Sequence, residues 1–266
     1  MSTSLQAFVQ GVGLLGPGLA DWPSAAAVLR GERAWTPAPT RIPAPESLPP
    51  AERRRTGTIV KLALRVGLEA CARAEVDPAR LPSVFTSSGG DGENCHEICS
   101  ALATSARALS PTRFHNSVHN AAAGYWGIAT GARAAANALC AYDASFAAGL
   151  LEALVQLHTE QTAVLLVAYD AAYPPPLRAA RPIPDAFGVA LVLAPDPGPH
   201  PQAQLRASLG TAAPTPLEGP LEDLRSAIPA ARALPLLAAL GAAGDTRAVL
   251  EYLPPLQLET EVRPWR

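Results

Sequence analysis

The chain has 266 residues, 48% of them hydrophobic and 17% charged, enough apolar material for one large domain or two small ones; one is expected. A formal charge of −2 gives no basic footprint for nucleic acid or an anionic membrane, and no apolar run reaches the length of a membrane span. The four cysteines form no compact disulfide framework and the first basic residue is Arg30, so the expectation is a reduced, cytoplasmic protein without a secretory n-region.

In chain order, LQAFVQGVGLL reads as a buried strand, followed by GPG and by Asp21, which caps a helix through ADWPSAAAVLRG. Gly11-Val-Gly-Leu-Leu-Gly16 satisfies the dinucleotide pattern G-x-G-x-x-G. That pattern needs a helix N-terminus at the pyrophosphate, and here Pro17 and Gly18 intervene, so no nucleotide cofactor is expected. Residues 36–51 form a Pro-rich loop. From Thr56 to Glu75 the apolar Ile59, Val60, Leu62, Ala63, Val66, Ala70 and Ala74 share a helical face, and Asp77-Pro78 ends the helix. PSVFTSSGGDGEN is a short strand breaking into a Gly-rich turn, with a helix to about residue 107. Cys95 and Cys99 share a face of that helix while His96 points away, so no metal site is expected.

Residues 114–153, FHNSVHNAAAGYWGIATGARAAANALCAYDASFAAGLLEA, are the most informative. His115, Asn116, His119 and Asn120 give an apolar helix a polar opening. They either satisfy loop carbonyls and the helix start or line a subunit interface or pocket mouth. The chain turns at Gly131, and a short strand of small residues runs from Ala136 to Ala141 with Cys140 read as buried within it. Another helix follows at once, with Phe146, Leu150, Leu151, Leu154 and Leu157 on its buried face. Asp143, just before that helix, suits an N-cap that accepts backbone N–H groups. TAVLLVAYD is a continuous apolar strand of the kind covered on both faces, YPPPLRAARPIPD a loop, and FGVALVL another strand. Beyond residue 196, AQLRASL reads as a strand, LEDLRSAI as a short helix, ALPLLAALG as an apolar segment, and RAVLEYL and LQLETEV as a terminal pair.

Ser117, Asn120, Ala123, Gly124, Gly131 and Arg133 follow the order S-x-x-N-x-x-A-G, then G-x-R, then a strand and a sharp strand-to-helix elbow. This resembles the β-ketoacyl synthases of the thiolase superfamily, in which a cysteine occupies the elbow; here that position falls on Asp143. A thiol at a helix N-terminus becomes a thiolate nucleophile, whereas a carboxylate attacks thioesters poorly and would give a labile anhydride. The family also carries two histidines in a C-terminal half, and after residue 160 this chain has only His200. It keeps Arg181-Pro182 of a longer family insertion but deletes most of the rest. The wording S-V-H-N-A at 117–121, A-G-L-L-E-A at 148–153 and V-A-Y-D at 167–170 is similar to that of the chain-length factors of aryl polyene synthesis.

The element order implies an α/β fold, a thiolase-like half with a mixed five-stranded sheet sandwiched between helices. A single ketosynthase-like domain is expected over 1–266, with 196–266 a divergent C-terminal extension covering a sheet face. The resemblance implies a non-catalytic chain-length factor that pairs with an active ketosynthase subunit, meets acyl carrier protein through that complex, and shapes its acyl tunnel. It needs no cofactor and no metal. Candidate pocket or interface residues are Phe114, His115, Ser117, His119, Asn120, Tyr125, Trp126, Ala138, Cys140 and Tyr142. Two alternatives stand: a hydrolase or decarboxylase of acyl carrier substrates using Asp143, Ser145 and a histidine, and a homodimeric acyl-binding protein.

Overall fold

The computed structural model describes residues 4–199 and 201–265, so His200 lies outside the described residues. Strand β1 (Leu5–Leu15) leads into helix α1 (Trp22–Leu29), and Asp21 caps α1 by accepting the Ser24 N–H at 2.9 Å. The Pro-rich loop and the short helix α2 (Pro50–Arg53) precede α3 (Thr58–Ala74), whose apolar face is buried as its periodicity predicts. Strand β2 (Ser83–Thr86) is followed by α4 (Gly92–Leu102), α5 (Pro111–His115) and α6 (Ala121–Thr130); α6 ends on Gly131 in the left-handed conformation. Then come β3 (Ala136–Leu139), α7 (Ser145–Glu160), β4 (Val164–Asp170), α8 (Leu177–Ala180) and β5 (Phe187–Ala194). The tail supplies β6 (Ala203–Gly210), α9 (Pro220–Ala227), α10 (Leu234–Gly241), β7 (Thr246–Glu251) and β8 (Gln257–Pro264).

The strands make one mixed sheet in the order β3-β2-β4-β5-β1-β6-β8-β7. Only β3, β2 and β4 run parallel to one another, and every other pairing is antiparallel. The sheet has eight strands rather than the expected five. The difference comes from the 196–266 extension, which does more than cover a face. Its strand β6 pairs with β1 from Leu5↔Ala207 to Val9↔Ala203, and β8 and β7 follow. A free β1 edge would leave backbone N–H and C=O groups unpaired, and the extension satisfies them. The alternation in LQLETEV, with Leu258, Thr260 and Val262 turned inward, is the sequence signal for this.

Helices cover both faces. On one side α3 and α6 pack over Phe85, Leu165, Val167 and Val192; on the other α1, α7 and α10 pack over Val12, Leu14, Leu166 and Leu191. The strands β4 and β5 are buried along their whole length, which is why their sequences are continuous rather than alternating apolar runs. The glycine pattern near the N-terminus has a packing explanation. A Cβ on Gly11 would lie 2.1 Å from the Ala70 carbonyl oxygen, and one on Gly13 would lie 2.0 Å from that of Val66. The glycines therefore seat the backbone of α3 directly on β1.

Candidate functional site: the elbow after strand β3

Strand β3 ends at Leu139, so Cys140 stands just past the strand and is exposed, not buried within it as the apolar context suggested. Its thiol donates to the Ser88 carbonyl at 3.1 Å. The turn that follows is built by Ser145. The Ala141 N–H donates to Ser145 Oγ at 3.1 Å, and Ser145 Oγ donates to the Tyr142 carbonyl at 2.7 Å. Tyr142 adopts φ +53°, a left-handed conformation uncommon for a bulky residue, and the residue is 61% exposed.

Asp143 does not cap α7. The helix opens on Ala144 without a side-chain cap, and the Asp143 carboxylate turns instead to two guanidinium groups, Arg181 at 2.5 Å and Arg232 at 3.2 Å. Two full cationic charges attract the carboxylate more than the partial charge of a backbone N–H at a cap does, which accounts for the choice. Arg181 also lies 3.6 Å from the centre of the Tyr142 ring, a cation–π contact that holds the ring in place. Arg232 pairs in addition with Glu251, which pairs with Arg225, which pairs with Glu222. Six alternating charges thus link the elbow to β7. Burial pulls the pKa of Arg181 down, but the hydrogen bond and charge of Asp143 outweigh it and leave it raised. At Arg232 burial prevails over the Asp143 charge, helped by the neighbouring Arg225 and Arg181, and the pKa is lowered. The hydrogen bond from Arg225 pulls that of Glu222 down to about 2.

A second polar cluster lies behind the elbow at the ends of β2 and β4. One oxygen of the buried Asp170 carboxylate accepts from Ser88 N–H at 2.9 Å, Ser88 Oγ at 2.7 Å and Ser87 Oγ at 3.2 Å. The other oxygen has no hydrogen-bond partner among the described residues. Burial raises its pKa to about 6 against the opposing pull of the two serines. A cavity of about 260 Å³ opens beside the elbow, with Tyr142, Asp143, Arg181, Ile183 and Pro229 in its wall.

The residues anticipated from 114–142 separate into two groups. Tyr125 and Trp126 are buried, with Trp126 against Phe85 and Gly67 and the Tyr125 hydroxyl donating to Asn116 at 3.1 Å. Phe114, His115, Ser117 and Asn120 are exposed; the His115 ring meets Tyr125 edge-on, the Ser117 hydroxyl donates to the Phe114 carbonyl, and Asn120 makes no side-chain cap. His119 is half-buried, and its Nε2 finds no partner among the described residues. Ala138 lies half-buried on β3. Sequence reasoning missed Arg232, Glu251, Ser87 and Ser88. Arg181 and Asp170 were visible in R-P and V-A-Y-D as words without partners, since both find them in distant segments. Cys95 and Cys99 are exposed on α4, and no cluster of metal-binding side chains forms among the described residues. No helix there is long and apolar enough to cross a membrane.

The comparisons agree with this architecture. Residues 26–235 match the family model of the β-ketoacyl synthase N-terminal domain, and the chain belongs to that family. Among solved structures, a chain of the complex of the ketosynthase ApeO with its chain length factor ApeC from Xenorhabdus doucetiae is 24% identical, with a TM-score of 0.73 over 96% of this chain and 99% of that one. The ishigamide ketosynthase/chain length factor is 13% identical, with a TM-score of 0.72 over 98% and 100%. The AntDE:AntF complex, a type II polyketide synthase acyl-carrier protein with its ketosynthase bound to the hexaketide, is 11% identical, with a TM-score of 0.75 over 99% and 100%. At these identities the likeness establishes the shared thiolase-like fold. No curated protein matches the chain.

Proposed function

We propose that the chain is a chain-length factor, a subunit without chemistry of its own that docks on an active ketosynthase and shapes the tunnel in which an aryl polyene chain grows. The observation that carries this reading is the state of Asp143. A carboxylate whose two oxygens are each held by an arginine is neither a nucleophile toward a thioester nor free to serve as a general base. The same geometry argues against the hydrolase reading, in which Asp143 would have to act on a substrate. Two features support a partner. Strand β3 ends the sheet with a bare, exposed edge, and Phe114, Val118, Ile128 and Tyr142 are large apolar side chains left exposed in the segments before and after it. The ApeO–ApeC and ishigamide structures, each a ketosynthase with its chain length factor, are assemblies of this kind. Acyl carrier protein would then be met through the synthase.

The test is co-expression with a candidate ketosynthase followed by size-exclusion chromatography with light scattering, together with intact-mass analysis of the isolated subunit after incubation with acyl carrier substrate. A one-to-one complex and an unmodified subunit mass are expected. A stable homodimer that ignores the synthase, or an acyl adduct on the isolated chain, would overturn the reading.

A further inference from the structure

Away from the elbow, an open groove of about 540 Å³ lies where the N-terminal turn of α3 meets α4 and α5, and none of its residues belongs to the Asp143 cluster. Four cationic side chains line it, Arg54, Arg55, Lys61 and Arg113, against two carboxylates, Asp91 and Glu93. Lys61 is the only lysine of the chain.

These cations are available. Neither Arg54 nor Lys61 forms an ion pair among the described residues, and the pairs made by Arg55 with Glu52 (3.1 Å) and Arg113 with Glu97 (3.4 Å) are exposed and easily exchanged. The frame is fixed from beneath by two buried asparagines. Asn116 donates its side-chain N–H to the backbone carbonyl of Arg55 at 2.8 Å, and Asn94 donates to that of Arg113 at 2.9 Å. Each buried amide thus grips the main chain of one groove arginine, and Tyr125 in turn donates to Asn116. The two arginines stand on a rigid base while their guanidinium groups remain free to converge on a ligand. The first turn of α3 adds backbone N–H groups that no side chain caps.

We infer that this groove is a binding site for the phosphate of a phosphorylated small molecule. Arginine forks and a lysine ammonium match phosphate oxygens, and a single phosphate fills only a fraction of the volume, which is in the range of drug-sized ligand sites. The carboxylates of Asp91 and Glu93, on the α4 side, accept hydrogen bonds, so the remainder of the ligand carries donors such as hydroxyl or amide groups. A phosphate ester of a polar alcohol has both halves.

Isothermal titration of the full chain with inorganic pyrophosphate tests the phosphate half. Saturable binding is expected with Kd of about 1 mM or below, weakened about tenfold or more in the doubly substituted Arg54→Ala/Lys61→Ala protein. Both side chains project from surface positions, and a circular dichroism melt confirms that the variant folds. Arg247→Ala, on β7, is the control and should bind as the unsubstituted protein does. Displacement of pyrophosphate by glycerol 3-phosphate at lower concentration than by inorganic phosphate supports the ester. The inference is overturned if pyrophosphate does not saturate, if the double variant binds undiminished, or if Arg247→Ala weakens binding equally. Equal displacement by the two phosphates overturns the ester assignment.

Discussion

The two ends of the sheet are finished in opposite ways. At the β7 end, Thr215 lies along the last strand and closes it, its N–H donating to the Val249 carbonyl and its hydroxyl accepting the Val249 N–H, each at 2.9 Å, while Arg247 and Glu261 place charges on the outer strands. At the β3 end the last strand has four residues, its first two side chains are exposed, and no segment among the described residues lies along its outer edge. One edge is blunted against pairing and the other is left available. The contrast shows that exposure at β3 is a property of that end and not a general looseness of the chain.

The largest effect is expected from Ala136→Lys, which puts a charge on the available edge. Association with a ketosynthase partner, measured by light scattering or biolayer interferometry, should weaken at least about tenfold while the melting temperature barely moves. Undiminished association would mean that the partner reads another surface. Next comes the buried charge behind the same end. Asp170 has its pKa raised by burial to about 6, above the ordinary 3.8, so between those values the folded protein holds a proton that the unfolded chain has released. Its contribution is therefore greatest below the lower value, declines as pH rises through about 6, and is level above it. The difference in unfolding free energy between the unsubstituted protein and Asp170→Asn should change in that sense by roughly 2–3 kcal/mol across the window, and a flat difference in urea titrations would refute the assignment.

A smaller effect is expected where the two ends are joined. Asp143→Ala leaves Arg181 and Arg232 without their shared carboxylate and should cost roughly 1–3 kcal/mol by chemical denaturation. The smallest is Thr215→Ala, which removes one hydrogen bond from the closed edge and should cost about 1 kcal/mol. If it instead produced concentration-dependent self-association, the closure at β7 would be shown to guard against pairing.

The sequence carried much of this fold because local patterns set it. The 3.6-residue periodicity from Ile59 to Ala74, the Asp21 cap, and the apolar runs of β4 and β5 each depend on neighbours in sequence. The site was less legible because it depends on distant ones. Asp143 could be placed at the elbow, but its preference for a helix cap lost to arginines 38 and 89 residues away. Cys140 read as buried because its sequence neighbours are small and apolar, yet β3 is an edge strand, and exposure there follows from strand order, which composition does not reveal. Tyr125 and Trp126, read as interface residues, serve the packing of α6 against the sheet.

The close seat of α3 on Gly11 and Gly13 has a mechanical consequence. Where its main chain rests on that of β1, from Val66 to Ala74, the helix has no layer of side chains between it and the strand, so that half cannot tilt without dragging the middle of the sheet along. The main chain at the other end of the same helix inherits that anchorage, so a ligand in the groove would be met by moving side chains on a still backbone.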